Sequence, residues 1–111
     1  MTAITLYGLK NCDTCKKAMK ALAAHGHDVT FVDIRADANL EKKVPFWLSA
    51  AGADLLINRR STTWRGLDEA ARSSDPLALL KAHPTLIKRP VIEDAQTVYV
   101  GWNKDVQAAL A

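Results

Sequence analysis

Changes in the spacing of apolar residues divide this chain into segments of predicted strand and helix. Residues Ile4 to Tyr7 form a short apolar run that ends at Gly8, which predicts a buried strand. Residues Val29 to Val32 predict a second strand. Between them the apolar positions recur at helical spacing, which predicts an amphipathic helix with one buried face, formed by Cys15, Ala18, Met19 and Leu22.

The middle of the chain predicts a series of shorter helices. Residues Val44 to Ala51 have helical spacing, and Pro45 is expected in the first turn because proline is tolerated there. Asp75 and Pro76 are a typical N-cap and first residue for a helix over residues 77–82. The chain therefore carries a helical block after its first strand–helix–strand unit.

The last part of the chain predicts two strands and a closing helix. Residues 90–92 and 97–100 are β-like, and Asn103 can cap a helix with an inward face of Val106, Ala109 and Leu110. The order βαβ, helical block, ββα describes the layout of an α/β protein with the thioredoxin-like fold. The spacing alone does not separate this layout from other α+β arrangements, and the cysteine motif described below favours it. We expect a single domain over residues 1–111, with a four-stranded mixed sheet and a helical insertion at about residues 40–84.

Composition narrows the class of protein. The chain has 111 residues, of which 49% are hydrophobic, so it is neither a collagen nor a disordered tail. A formal net charge of +3, with both signs mixed along the chain, does not favour nucleic-acid binding. We expect no secretory signal, since none is visible among the first residues, and no apolar stretch is long enough to span a membrane. We expect a cytoplasmic monomer with no membrane partner.

Cys12 and Cys15 form a C-x-x-C motif between the first predicted strand and its helix. Cys12 lies at the helix start, where unpaired backbone N–H groups and the helix dipole stabilise a thiolate. Lys10, Lys16 and Lys17 add positive charge nearby. Cys15 lies one turn later, on the buried stripe. The arrangement is suited to disulfide exchange, with attack by Cys12 and resolution by Cys15.

Other interpretations of the same cysteines have to be weighed. Cys15 can equally be a packing residue, because a free cysteine packs like a small apolar side chain. A zinc site would need four ligands, and His25, His27 and His83 do not have ligand spacing, so no metal is expected. We interpret these histidines as solvated.

Arg89 precedes Pro90 at the head of a predicted strand. One interpretation is an ordinary strand-opening proline. In a thioredoxin-like fold, however, this is the place of a cis-proline that faces the cysteine loop. Arg89 would then direct a bidentate cation toward Cys12, where it can hold an oxyanion or a carboxylate and favour the thiolate.

Residues 58–65 are the densest basic segment. Such a segment is either a solvated loop or, with Trp64 between its arginines, a contact for an anion or a nucleic acid. We expect Arg59 to be simply solvated.

Three segments of the sequence carry a family likeness. They are YGLKNCDTCKKA at residues 7–18, LINRRSTTWR at residues 56–65 and IKRPVI at residues 87–92. Together, and in this order over almost the whole chain, they resemble the arsenate reductase ArsC/Spx family, and most closely its YffB subgroup. The resemblance implies a thioredoxin-like fold with a helical insertion, Cys12 as the nucleophile and Arg89 as the arginine before a cis-proline.

The resemblance also implies an anion-binding site, with the residues Asn11, Asn58, Arg60, Arg89 and Pro90. Arsenate reductases of the family that are linked to glutathione and glutaredoxin add two further arginines to this site. The position of one aligns with Asn58 here, with Arg60 as a substitute. The other lies near the last strand, where this chain has no arginine.

Three functions follow from the residues and the resemblance. The leading hypothesis is a glutathione-dependent thiol reductase in which Cys12 is the nucleophile and glutathione is a co-substrate, with no bound cofactor. The alternative is an arsenate reductase linked to glutathione or glutaredoxin. A second alternative is a redox-sensing transcription regulator that binds RNA polymerase, as Spx does, and uses Cys12 and Cys15 as a switch.

Overall fold

The computed structural model describes residues 3–110. The chain folds into two compact units. The first unit contains the residues up to Ala38 and those from Arg89 onward, and the second contains Asn39 to Lys88. The predicted insertion at about residues 40–84 lies within the second unit, while the assignment of the whole chain to one domain stays a prediction. No helix within residues 3–110 is long and apolar enough to cross a membrane.

The elements alternate as the apolar spacing predicts. The strands are β1 (Ala3–Gly8), β2 (Asp28–Asp33), β3 (Val91–Asp94) and β4 (Thr97–Val100). The helices are α1 (Asp13–Ala24), α2 (Leu40–Ala51), α3 (Ala53–Leu56), α4 (Thr62–Arg65), α5 (Glu69–Arg72), α6 (Pro76–Ala82) and α7 (Lys104–Leu110), with a 3-10 helix at Pro84–Leu86.

The four strands form one mixed sheet in the first unit, in the order β2-β1-β3-β4. β1 and β2 are parallel, as expected for two strands joined by a helix, and Leu6 pairs with Phe31. β3 is antiparallel to both β1 and β4, and Leu6 also pairs with Ile92. This βαβ plus ββα arrangement around a four-stranded mixed sheet confirms the predicted thioredoxin-like fold.

The core of the first unit lies where the helices cover one face of the sheet. Alternate residues of the strands point to the same face, and α1 and α7 bury their apolar stripes against it. The buried cluster consists of Ile4, Leu6, Cys15, Ala18, Leu22, Ile92, Val106 and Leu110. Ala109, predicted to face inward, is exposed, since the inward stripe of α7 is formed by residues four apart. Asn103 caps α7 as predicted, accepting a hydrogen bond from the Val106 backbone N–H at 3.0 Å.

The second unit is a set of short helices in which α2 packs against α3 and α6. The predicted Asp75 cap is present, because its carboxylate accepts a hydrogen bond from the Ala78 backbone N–H at 3.3 Å. The predicted position of Pro45 is wrong. α2 begins at Leu40, so Pro45 lies inside the helix, where it cannot donate the usual backbone hydrogen bond. Leu40 lies four residues before Val44 and extends the apolar repeat, but the three charged residues between them hid this earlier start.

Candidate active site

Cys12 occupies the N-cap position of α1, in the loop that follows β1. Its backbone is extended, with φ −97° and ψ 116°, and its carbonyl accepts the backbone N–H of Lys16 at 3.0 Å. The first N–H groups of a helix have no partner within the helix, so they surround the side chain of an N-cap residue with donors. The Cys12 side chain is half-buried, and this position is suited to an accessible thiolate.

Cys15 lies one turn into the same helix and is 1% exposed. It belongs to the buried cluster of the first unit, as its place on the apolar stripe predicts. Beneath it lies Gly8, where an added Cβ would come within 2.5 Å of the Cys15 Sγ. The close approach of α1 to β1 at this point therefore requires glycine. Sequence reasoning missed this role, because a glycine at the end of a strand also has the simpler explanation of a turn.

The two thiols have opposite pKa shifts. Partial burial works to raise the pKa of Cys12, but the backbone N–H and the S–H of Cys15, followed by the guanidinium of Arg89, stabilise the thiolate. The net effect is a pKa below the ordinary thiol value. Burial, followed by the neighbouring Cys12, raises the pKa of Cys15 to about 11. As pH rises, Cys12 therefore loses its proton before Cys15 does.

Arg89 is the cation that acts on Cys12. The Arg89–Pro90 peptide bond is cis, Pro90 is buried and Arg89 is half-buried. Arg89 contributes both a side-chain hydrogen bond and its positive charge to the lowered pKa of Cys12. The sequence had pointed both to Arg89 and to the lysines around the motif as sources of this charge. The contact with Arg89 depends on the antiparallel pairing of β3 with β1, which brings the start of β3 to the end of β1.

The carbonyl of Pro90 is held at the end of β4. It accepts a hydrogen bond from the Gly101 backbone N–H at 2.8 Å. Gly101 has φ 84°, a left-handed conformation that strongly favours glycine. The residue that follows Arg89 is thus fixed to the sheet by a backbone hydrogen bond.

Asn11 is exposed in the loop before Cys12. It lines a polar pocket of about 400 Å³ together with Lys10, Asp33 and Arg35. The carboxylate of Asp33 is already used locally, because it accepts the backbone N–H groups of Arg35 and Ala36 at 2.8 and 3.0 Å. The first unit therefore brings Cys12, Cys15, Arg89 and Pro90 together, with Asn11 beside the cysteine loop.

Asn58 and Arg60 belong to the second unit and are described within it. The Asn58 side chain accepts a hydrogen bond from the Arg60 backbone N–H at 3.2 Å. Both residues line a pocket of about 430 Å³ with Arg59 and Lys88. Asp54 also lines this pocket and is paired with Arg59, and the anion-binding role of Asn58 and Arg60 stays a prediction.

The basic segment is more ordered than a solvated loop. Arg59 forms an ion pair with Asp54 at 3.3 Å, and its guanidinium lies 5.5 Å from the ring centroid of Trp64. Arg72 lies 5.4 Å from the same ring. Arg59 is exposed, as predicted, and in addition Trp64 provides an aromatic face for its guanidinium and for that of Arg72.

The histidines divide into exposed and bonded positions. His25 is exposed, as predicted, whereas His27 is half-buried and its Nε2 lies 2.5 Å from the carbonyl oxygen of Leu110. The prediction that His27 is solvated is wrong, because β2 begins next to the C-terminal end of α7. Among the described residues, no three His, Cys, Asp or Glu side chains are grouped as a metal ion would require.

This chain is similar to one protein family and to several known proteins over almost its whole length. The model of the ArsC family matches residues 7–110. An uncharacterised protein of Haemophilus influenzae is 44% identical over 97% of this chain and 99% of its own length. The global transcriptional regulator Spx of Streptococcus pneumoniae is 33% identical over 92% of this chain and 80% of its own. The solved structure of the YffB protein has a TM-score of 0.86 and 37% identity, covering 97% and 99% of the two chains.

Proposed function

We propose that this chain, which belongs to the ArsC family, is a glutathione-dependent thiol reductase with the Cys12 thiolate as its nucleophile. The observation that carries the proposal is the division of protonation between the two thiols. Cys12 has a lowered pKa, and Cys15, in hydrogen-bond contact with it, has a pKa of about 11. A thiolate is the form of cysteine that attacks a disulfide.

The reaction that fits this site is thiol–disulfide exchange. The Cys12 thiolate attacks the glutathione sulfur of a mixed disulfide, forms a Cys12–glutathione disulfide and releases the other half as a thiolate, which takes a proton from water. A second glutathione thiolate then attacks the glutathione sulfur of that adduct. This step yields oxidised glutathione and restores the Cys12 thiolate, so one added glutathione is consumed for each mixed disulfide reduced, and it forms the new disulfide with the glutathione that the mixed disulfide already carried.

Arg89 is suited to holding a carboxylate beside the reacting sulfur. Its guanidinium contacts Cys12 and can bind an anionic group by donating two parallel hydrogen bonds to it. Glutathione carries two carboxylates, so its capture by Arg89 would position the sulfur without a bound cofactor. Asn11, in the loop before Cys12, is a further polar contact for the tripeptide.

Cys15 has two roles open to it in this scheme. It stabilises the Cys12 thiolate through its backbone N–H and its S–H. It could also attack a Cys12 adduct and form an intramolecular disulfide, but with a pKa of about 11 very little of it is ionised at neutral pH. We therefore assign it the first role, and glutathione, not Cys15, resolves the adduct.

A turnover assay tests the proposal. The parent protein, Cys12→Ser and Cys15→Ser are each given a glutathione mixed disulfide and reduced glutathione, and formation of oxidised glutathione is followed. We expect turnover by the parent and by Cys15→Ser, and none by Cys12→Ser. Turnover lost equally in both variants would contradict the assigned role of Cys15, and no turnover by the parent would overturn the thiol reductase.

The same assay is repeated with arsenate as the substrate, with and without glutaredoxin. Arsenate reduction by Cys12 would require anion contacts beyond Arg89, and the sequence has no arginine near the last strand. We therefore expect no arsenate-dependent oxidation of glutathione. Turnover of arsenate would favour the arsenate reductase alternative.

A regulatory function is supported by one observation, the 33% identity to Spx over most of this chain. Spx is named as a global transcriptional regulator. In this alternative Cys12 and Cys15 form an internal disulfide that changes binding to RNA polymerase. Co-purification of polymerase with the oxidised chain, lost in Cys15→Ser, would favour the regulator.

A further inference from the structure

An apolar groove of about 590 Å³ lies alongside α1, next to the cysteine motif. Its interior is formed by Leu9, Cys15, Met19 and Phe31, which come from the loop after β1, from α1 and from β2. Met19 and Phe31 are only partly buried although both pack against the core of the first unit. The volume lies within the range of about 300–1,000 Å³ that is typical of small-molecule sites.

The groove is bordered by positive charge. Its other lining residues are Lys10, Lys16 and Lys20, and no acidic side chain lines it. Lys16 and Lys20 are four residues apart on α1, so they lie on one face of the helix. Within residues 3–110, neither Lys16 nor Lys20 forms an ion pair. An occupant that complements this groove has an apolar body and carries a negative charge.

The groove reaches the reacting sulfur through Cys15. Cys15 lines the groove, and its side chain is in hydrogen-bond contact with that of Cys12. A molecule seated against Cys15 therefore lies one side chain away from the nucleophile. Glutathione is a polar tripeptide, and it lacks the apolar body that Leu9, Met19 and Phe31 would cover.

We propose that this groove binds the non-glutathione half of the disulfide substrate, and that this half is an aromatic or branched-alkyl thiol bearing a carboxylate. The inference rests on the proposed thiol reductase function and names its substrate class. In the reaction, the Cys12 thiolate attacks the glutathione sulfur, and the group in the groove leaves as its thiolate. The lysines hold its carboxylate, and the apolar walls hold its hydrocarbon body.

The binding test uses the full chain with Cys12→Ser, so that no covalent step interferes. Amide chemical shifts are followed by NMR during titration with 2-naphthoate. Acetate has the same charge without the apolar body, and 2-naphthylmethylammonium has the apolar body with the opposite charge. We expect shifts at Leu9, Lys16, Met19, Lys20 and Phe31 with 2-naphthoate, and binding at least about tenfold weaker for the other two probes.

Charge reversal on α1 supplies a matched control. Lys17 is exposed on the same helix but does not line the groove. We expect Lys16→Glu and Lys20→Glu each to weaken 2-naphthoate binding by about threefold to tenfold, since each exchanges an attraction for a repulsion. Lys17→Glu is expected to leave the affinity unchanged. Equal losses in all three variants would overturn a localised site.

The remaining outcomes separate this inference from the proposed function. If 2-naphthoate does not bind, or perturbs residues outside the groove, while the parent still turns over glutathione disulfides, the groove is not the substrate site and the reductase stands. If 2-naphthoate binds as expected but no disulfide is turned over, the proposed reductase function is contradicted. Groove resonances that move with protein concentration alone would make the groove a contact between two copies and overturn the proposal.

Discussion

The two cysteines of the C-x-x-C motif show how strongly backbone position changes the burial and the pKa of a thiol. Cys12, at the start of α1, is half-buried and has a lowered pKa, because the Cys15 donors and Arg89 outweigh its partial burial. Cys15, one turn along the helix, is buried against Gly8 and has a pKa of about 11. The helix start supplies free donors and access to solvent, whereas the first turn supplies an apolar environment. Reactivity therefore follows from the backbone position rather than from the C-x-x-C spacing.

The largest expected effect comes from the substitution that removes the nucleophile. Cys12→Ser should lower glutathione-dependent turnover by at least about 10³-fold, because a serine hydroxyl is not ionised at neutral pH. Cys15→Ser should keep turnover within about tenfold of the parent, because a hydroxyl can still donate to the Cys12 thiolate. Steady-state rates with equal protein concentrations check both values. A larger loss in Cys15→Ser than in Cys12→Ser would reverse the assignment of the two ends.

Arg89→Ala removes the cation from the Cys12 end only. A charge-assisted bidentate contact contributes about 1.5–3 kcal/mol, so glutathione affinity should fall about tenfold to a hundredfold. The pKa of Cys12 should rise at the same time, which alkylation by iodoacetamide as a function of pH will detect. Arg89→Lys should recover only part of the affinity, since an ammonium lacks the planar fork.

Arg59→Ala is the control for Arg89→Ala, because Arg59 lies in the second unit and is paired with Asp54 at the surface. It should leave both the glutathione affinity and the pKa of Cys12 unchanged. Unchanged binding in Arg89→Ala, together with a large fall in melting temperature, would make Arg89 a structural residue.

Gly8→Ala tests the packing at the Cys15 end. The new Cβ would lie 2.5 Å from the Cys15 Sγ, so one of the two elements must shift. Overpacking of this kind typically costs about 1–3 kcal/mol in the free energy of unfolding. At Gly66 an added Cβ would lie 3.6 Å from its nearest neighbours, an ordinary contact. Urea denaturation should therefore show a loss for Gly8→Ala and almost no change for Gly66→Ala.

The smallest expected effect is the pH dependence of stability that Cys15 contributes. The folded state raises the pKa of Cys15 to about 11, so it favours the protonated thiol. This contribution is present below the ordinary thiol pKa and is lost as pH rises toward about 11. The difference in unfolding free energy between the parent and Cys15→Ser should therefore shift against the parent over that range. A difference that is constant with pH would mean that Cys15 ionises equally in the folded and unfolded states.

Local spacing predicted the elements of the fold, and the C-x-x-C motif favoured the thioredoxin-like layout over other α+β arrangements. The spacing of apolar residues in β1, α1 and β2, and the helix caps at Asp75 and Asn103, each depend on a few neighbouring residues. The positions of Cys12 and Cys15 on α1 followed from the same periodicity. These features required no knowledge of how distant segments meet.

Several features that sequence reasoning missed depend on distant contacts. The contact of Arg89 with Cys12 was expected only from the thioredoxin-like fold, because Arg89 reaches Cys12 through the pairing of β3 with β1. The need for glycine at residue 8 arises from the approach of α1, and the bond of His27 arises from the end of α7. A local pattern indicates which face of an element is buried, but it does not identify the atom that lies against a given side chain.

The hydrogen bond between Gly101 and Pro90 bears on the entropy of ligand capture. Because the Pro90 carbonyl is fixed to the end of β4, the backbone next to Arg89 is ordered before any ligand arrives. An anion that binds Arg89 then restricts little beyond the guanidinium and the anion itself. Arg89 thus acts as a preorganised receptor, and a side chain at residue 101 would loosen it without touching the ligand.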